Sequence, residues 1–185
     1  MMTPLVLIVL GTLCRVVPHP PNAVALGAVA LFAGAKLPRR WAWLVPVLSM
    51  MLADLILDRG TNRGLFEISR LTIYGTYVAI TFLGLLARRA TETRAPLALV
   101  PLSLAASGLF FLTTNFAEWI AGPLKLYPIT ASGLMACYTA AIPFFGNTVA
   151  ADLAGVVVLF GFDALARRVA SGRRKAEPVA ELVEA

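Results

Sequence analysis

The sequence predicts an all-α integral membrane protein, a bundle of about six transmembrane helices. Three observations lead there. Only 14% of the 185 residues are charged and 59% are hydrophobic; a soluble domain carries roughly 25% charged residues, so this chain lacks the polar surface to cover itself in water. The mean hydropathy is +0.80. Apolar runs recur along the whole length and are divided by short basic clusters. A span needs roughly 20 residues, which leaves room for six spans in a single transmembrane domain, residues 1–168. The tail, residues 169–185, is polar and of mixed charge and reads as cytoplasmic and disordered.

The first apolar run is Pro4 to Val17, with Arg15 late in it. Met1 to Val9 has no basic residue, so a cleaved signal peptide is not expected. Pro18-His19-Pro20-Pro21-Asn22 excludes regular helix, and Asn22 is the expected N-cap of the next one. That helix, Ala23 to about Ala35, is rich in Ala and Gly, with Ala30 and Gly34 at small-xxx-small spacing. At about 1.5 Å per residue it is too short to cross a ~30 Å core, so its neighbours should enclose it. Lys36 to Arg40 is a basic stop. Trp41 to Leu57 is the third span, with Asp54 inside it. A polar segment, Gly60 to Arg70, leads to the fourth, Leu71 to Ala87, closed by the basic cluster Arg88 to Arg94. The fifth runs from Leu97 to about Thr113 and on into Thr114-Asn115-Phe116-Ala117-Glu118-Trp119. Ile129 to Ile142 is apolar but short and is followed by Pro143-Phe144-Phe145-Gly146-Asn147. It reads as a re-entrant or short helix between spans five and six. The last span is Thr148 to Ala166, with Asp152 inside it.

The net charge of +6 would point to nucleic acid in a soluble protein. Here the cations cluster at the ends of apolar runs and set topology instead, so no nucleic-acid partner is expected. Six spans with both termini inside place eleven of the 16 Lys and Arg in the cytoplasm, in the clusters Lys36 to Arg40, Arg88 to Arg94 and Arg167 to Lys175. A seventh span would move the last cluster outside and break the positive-inside rule. The expected location is the inner (cytoplasmic) membrane, multi-pass. The Pro18 to Asn22 turn, the Asp58 to Arg70 loop and the Thr114 to Asn147 stretch then share the outer side.

Several short motifs stand out together: Arg15-Val-Val-Pro-His-Pro-Pro-Asn22, Leu31-Phe-Ala-Gly-Ala-Lys36, Met50-Met-Leu-Ala-Asp54, Thr114 to Trp119, Tyr127-Pro128, Cys137 to Phe145 and Asn147 to Asp152. With these the chain resembles, over most of residues 10 to 165, a family of small bacterial membrane proteins described as transport proteins. Those in turn resemble the substrate-binding S components of energy-coupling factor (ECF) vitamin transporters. The resemblance implies a vitamin or similar micronutrient bound from the outer side. The first, third and fifth connections would cap it. A transmembrane coupling protein and two cytoplasmic ATPases would be its partners. S components carry a small-xxx-small coupling motif on the first helix; here that spacing falls on the second.

The candidate site residues are Arg15, His19, Asn22, Asp54, Asn115, Glu118, Trp119, Tyr127, Tyr138, Asn147 and Asp152. A carboxylate inside a span costs roughly 2.5–3.5 kcal/mol on insertion scales, so Asp54 and Asp152 should face a cavity or a partner. Each is either a ligand or proton-coupling group or a structural charge: an ion pair with Arg15 or Arg70, or, for Asp152, a charge in the first turn of the last helix. His19 is the only histidine; it serves a ligand or fixes its loop, and with no second ligand motif no metal site is expected. Asn115, Glu118 and Trp119 stand at i, i+3 and i+4 and would share one helix face able to bind a polar ring. Tyr127 and Tyr138 are either binding groups or members of the interfacial aromatic belt. Phe144 and Phe145 either pack in the core or line an apolar pocket. No GxxxxGK[ST], HExxH or GxSxG motif occurs, so neither a transport ATPase nor a hydrolase is indicated, and no cofactor is expected. Three functions remain: a substrate-binding transport component, an intramembrane enzyme built on Asp54, Asp152 and His19, and a structural subunit of a membrane complex.

Overall fold

Thr3 starts the first helix: its hydroxyl accepts the N–H of Val6, and Pro4 occupies the first turn, where a missing N–H does no harm. In the computed structural model, which describes residues 2–59, 68–92, 96–122 and 124–183, this helix is α1, Pro4–Val16. After it come α2 (Leu26–Lys36), α3 (Arg39–Ala42), α4 (Leu44–Leu57), α5 (Ile68–Glu92), a 3-10 turn (Pro96–Ala98), α6 (Leu99–Ala121) and α7 (Ala131–Val183). The fold is all-α among the described residues. Residues 60–67 of the polar segment before α5 lie outside them.

Four helical stretches are long and apolar enough to cross a membrane: Arg39–Leu57, which joins α3 and α4, Ile68–Arg88, Leu99–Ala121 and Ala131–Gly172. Large apolar side chains point outward along them, among them Leu55, Phe82, Leu112, Val157 and Phe162. A surface of that kind is stable against lipid and not against water. The chain is a multi-pass membrane protein. The two remaining helices are shorter. α1 has 13 residues and α2 has 11, so α2 is about 17 Å long.

α2 is the centre of the bundle. Every residue from Leu26 to Ala35 is buried, which a helix apolar on all sides requires. Its neighbours enclose it, as its length and composition predict. Phe32 meets Phe160 of α7 edge-on, with ring centroids 5.0 Å apart. Leu7 of α1, Val45 and Met50 of α4 and Ile80 of α5 complete the same core. α5 crosses closest at Gly34 and Gly84: a Cβ on Gly34 would overlap the carbonyl oxygen of Thr81, and one on Gly84 the carbonyl oxygen of Leu31. The small residues seen in the sequence therefore serve backbone contact.

Cross-helix bonds give the relative directions. Arg15 of α1 reaches Asp54, and Thr12 reaches Ser49, so α1 and α4 run the same way. α2 runs alongside the second half of α7, from the Thr148 hydroxyl on the Asn22 carbonyl to Lys36 near Asp163. α6 and α7 form an antiparallel hairpin, joined at Ser107 and Asp152, at Phe111 and Phe145, and at Trp119 and Pro128.

Two expectations need correction. Ile129 to Ile142 does not form a separate re-entrant or short helix: α7 runs unbroken from Ala131 through Pro143. Proline removes one helical bond, to Thr139, but in lipid a broken helix would expose more unsatisfied backbone than it relieves. Asn22 does not cap α2: the N-cap is Ala25, which offers no side-chain bond, and Asn22 sits in the left-handed region at φ 60°, a conformation asparagine tolerates.

Candidate ligand-binding site

Three polar groupings among the described residues bear on a candidate site. The first joins α1, α4 and α5. Asp54 is 2% exposed, and the Arg15 guanidinium donates to its Oδ1 at 2.7 Å. The Tyr74 hydroxyl donates to Oδ2 at 2.6 Å. Arg70 approaches the same oxygen at 3.5 Å and Asp58 at 2.5 Å. Asp54 and Asp58 share a helix face because they stand four residues apart. Two cations face two carboxylates, so the cluster is close to neutral, as a buried charge group must be. The expected pairing of Asp54 with Arg15 and Arg70 is present. Tyr74 joins as well, with no sequence signal beyond its place one turn after Arg70.

The second is Asp152 on α7. The Ala28 N–H donates to its Oδ1 at 3.1 Å, and the Ser107 hydroxyl to its Oδ2 at 2.8 Å. Ala28 belongs to the first turn of α2, whose own N-cap residue is an alanine. Asp152 thus caps α2 from another helix, placing negative charge on the positive end of its dipole. Gly27 lets it in: a Cβ there would lie 2.5 Å from Asp152 Oδ2. The far end of α2 mirrors this. Arg88 of α5 donates to the carbonyls of Gly34, Ala35 and Leu37 at 3.1, 3.0 and 2.6 Å.

The third is a cavity of about 240 Å³ near the start of α2. It lies between α5, α6, α7 and the α1–α2 connection. α6 supplies one face at i, i+1, i+4, i+5 and i+8: Phe110, Phe111, Thr114, Asn115 and Glu118. α5 adds Ser69 and Ile73, α7 adds Phe145 and Thr148, and the connection adds Asn22. The connection is pinned over α7 by Asn147, whose amide donates to the Pro21 carbonyl at 2.9 Å, and by the Thr148 hydroxyl on Asn22 O at 3.2 Å.

The cavity brings together three of the candidates: Asn22, Asn115 and Glu118. Trp119 does not join them. One residue beyond Glu118 on a helix turns the side chain by about 100°, and its indole N–H donates instead to Pro128 O at 2.9 Å. Tyr138 donates to Leu112 O at 2.7 Å and Asn147 holds the connection. Tyr127 lies in the α6–α7 connection, outside the cavity lining. His19 is exposed, and its two ring nitrogens face the carbonyls of Pro20 and Arg15 at 2.8 and 3.3 Å. Arg15, Asp54 and Asp152 are held in the two networks above. No group of three His, Cys, Asp or Glu side chains able to hold a metal occurs among the described residues.

Of the two phenylalanines after Pro143, Phe145 lines the cavity and Phe144 faces outward. Phe110 and Phe111 carried no sequence signal that separates them from the apolar run around them. Together with Phe145 they give the cavity aromatic walls, Phe111 and Phe145 having centroids 4.8 Å apart. The chain matches no curated protein and no solved structure. A family model, described as a family of unknown function (DUF6580), matches residues 1–176, and the chain belongs to that family.

Proposed function

We propose that this protein is a membrane-embedded binding component for a small, vitamin-like solute, working as part of a transport system. The cavity carries the reading. Three aromatic rings, two amides and one carboxylate converge on a space of about 240 Å³. An apolar-walled pocket with a few convergent polar groups is the usual form of a small-molecule site. The distribution of Lys and Arg supports cytoplasmic termini, which would open this cavity to the outer side. The resemblance to S components would add a coupling protein and ATPase subunits as partners, with lipid around the bundle.

The intramembrane enzyme is less well supported. Both oxygens of Asp54 and both of Asp152 accept bonds from protein donors, in separate networks. His19 is exposed, its ring nitrogens near the carbonyls of Pro20 and Arg15. Paired catalytic carboxylates must converge on one substrate, and Asp54 and Asp152 are held apart in these two networks.

Native mass spectrometry of the detergent-purified protein tests the proposal. Protein from cells grown in rich medium should carry a reproducible small-molecule adduct. The adduct should disappear in Asn115→Ala and in Thr114→Trp, which fills the cavity. A bare polypeptide mass, with lipid adducts only, would count against binding.

A further inference from the structure

We infer that the cavity selects a small organic cation, an amine or a protonated nitrogen heterocycle carrying N–H donors; this deepens the binding reading above and rests on it. The case begins with the hydrogens. The Thr114 hydroxyl donates to Phe110 O at 2.7 Å, the Asn115 amide to Phe111 O at 2.7 Å and the Thr148 hydroxyl to Asn22 O at 3.2 Å. Both hydroxyl hydrogens and one of the two Asn115 amide hydrogens are thus occupied within the protein. What these residues still offer the cavity are mostly acceptors, the Asn115 side-chain oxygen and the hydroxyl lone pairs, beside the second Asn115 N–H. Asn22 and Ser69 can present either a donor or an acceptor.

Charge points the same way. Glu118 is the one ionisable residue in the lining among the described residues. It stands in the last turn of α6, which has no basic residue, so the negative end of the helix dipole adds to its carboxylate. No ion pair to Glu118 occurs among the described residues, in contrast to Asp54 and Asp163, which each face two cations. An anion would meet repulsion, and a neutral acceptor would leave the carboxylate without a donor. A cation would be met by Glu118 and by the faces of Phe110, Phe111 and Phe145, since aromatic rings attract cations through their quadrupole. The volume is below the ~300 Å³ at which drug-sized sites begin, so the ligand is small.

The test uses three probes with one ring and three charges: benzylammonium, benzyl alcohol and benzoate. Each is titrated at neutral pH against the full chain in lipid nanodiscs, with binding followed by saturation-transfer NMR. Thr114→Trp separates cavity binding from partition into lipid. Glu118→Gln keeps the side-chain volume and removes the charge, and it carries the test alone if Thr114→Trp does not purify. Benzylammonium should bind about tenfold more tightly than benzyl alcohol, a preference of the size an aromatic ring and a carboxylate provide together, and benzoate should not bind. The preference should vanish in Glu118→Gln. Benzyl alcohol or benzoate binding as tightly as benzylammonium, and being displaced by Thr114→Trp, would overturn the cation inference and leave a binding cavity. No cavity-dependent signal from any probe would overturn both.

Discussion

Asp152 and Glu118 stand on the two helices of one antiparallel hairpin, α7 and α6, and their carboxylates are used in opposite ways. Asp152 accepts a backbone N–H from α2 and a hydroxyl from α6. Glu118 accepts from no described side chain and lines a cavity. The more deeply buried carboxylate, at 2% exposure, is the one bound by the protein itself. Burial of a charge in a span thus marks a place where the fold needs a charge. Whether that need is structural or functional depends on how many of its partners the protein already provides. At Asp152 the need is the uncapped start of a buried helix, and at Glu118 no such need exists.

The contrast can be broken first at α2, which Asp152 serves. Gly34→Leu drives a side chain into the Thr81 carbonyl at the α2–α5 crossing. Overpacking at a backbone contact has no flexible neighbour to yield, so this variant should give no monodisperse protein on size-exclusion chromatography. A Gly34→Leu protein with near-normal thermal stability would show that α2 is not the packed centre, and the capping account of Asp152 would lose its purpose.

Asp152 itself gives the next largest effect. Asp152→Ala leaves the Ala28 N–H without its acceptor, at a cost of roughly 1–3 kcal/mol for each buried group left unmade. Asp152→Asn keeps an oxygen for Ala28, requires the Ser107 hydroxyl to turn and accept from the new amide, and loses the charge on the helix dipole, about 0.3–2 kcal/mol. Thermal unfolding in detergent should therefore rank wild type above Asn and Asn above Ala. Wild-type stability in both variants would mean that neither the bond nor the charge at the start of α2 matters.

Sequence showed part of this and hid the rest for identifiable reasons. Four of the six expected spans, the enclosure of α2 and the pairing of Asp54 with Arg15 and Arg70 follow from composition, length and the cost of intramembrane charge. Asn115 and Glu118 follow from helical spacing. The role of Asp152 was hidden because its partner is a backbone N–H 124 positions away, and backbone groups leave no residue type to read. Asn22 misled because it is a good capping residue three positions too early; the chain turns through it at positive φ and α2 starts without a cap of its own. Pro143 misled because in water it would end a helix. In lipid the helix passes through it, and that continuity carries Phe145 to the cavity wall.

The smallest stability effect is expected at Glu118, and it sharpens the contrast most. Glu118→Gln and Asp152→Asn are the same chemical change, carboxylate to amide, on adjacent helices. At Asp152 the charge sits at the positive end of α2, so its loss should lower the unfolding temperature. At Glu118 it sits at the negative end of α6 with no cation in that turn, so its loss removes a repulsion of about 0.3–1 kcal/mol. The unfolding temperature of Glu118→Gln should stay level or rise slightly, measured in the same detergent on the same instrument. A fall as large as that of Asp152→Asn would mean that Glu118 already serves the fold, and the cavity would then lose the one charged group among its described residues that is free for a ligand. A level or raised value, with a fall at Asp152→Asn, would separate the two carboxylates by function: one holds the bundle together, and the other is held in place by it.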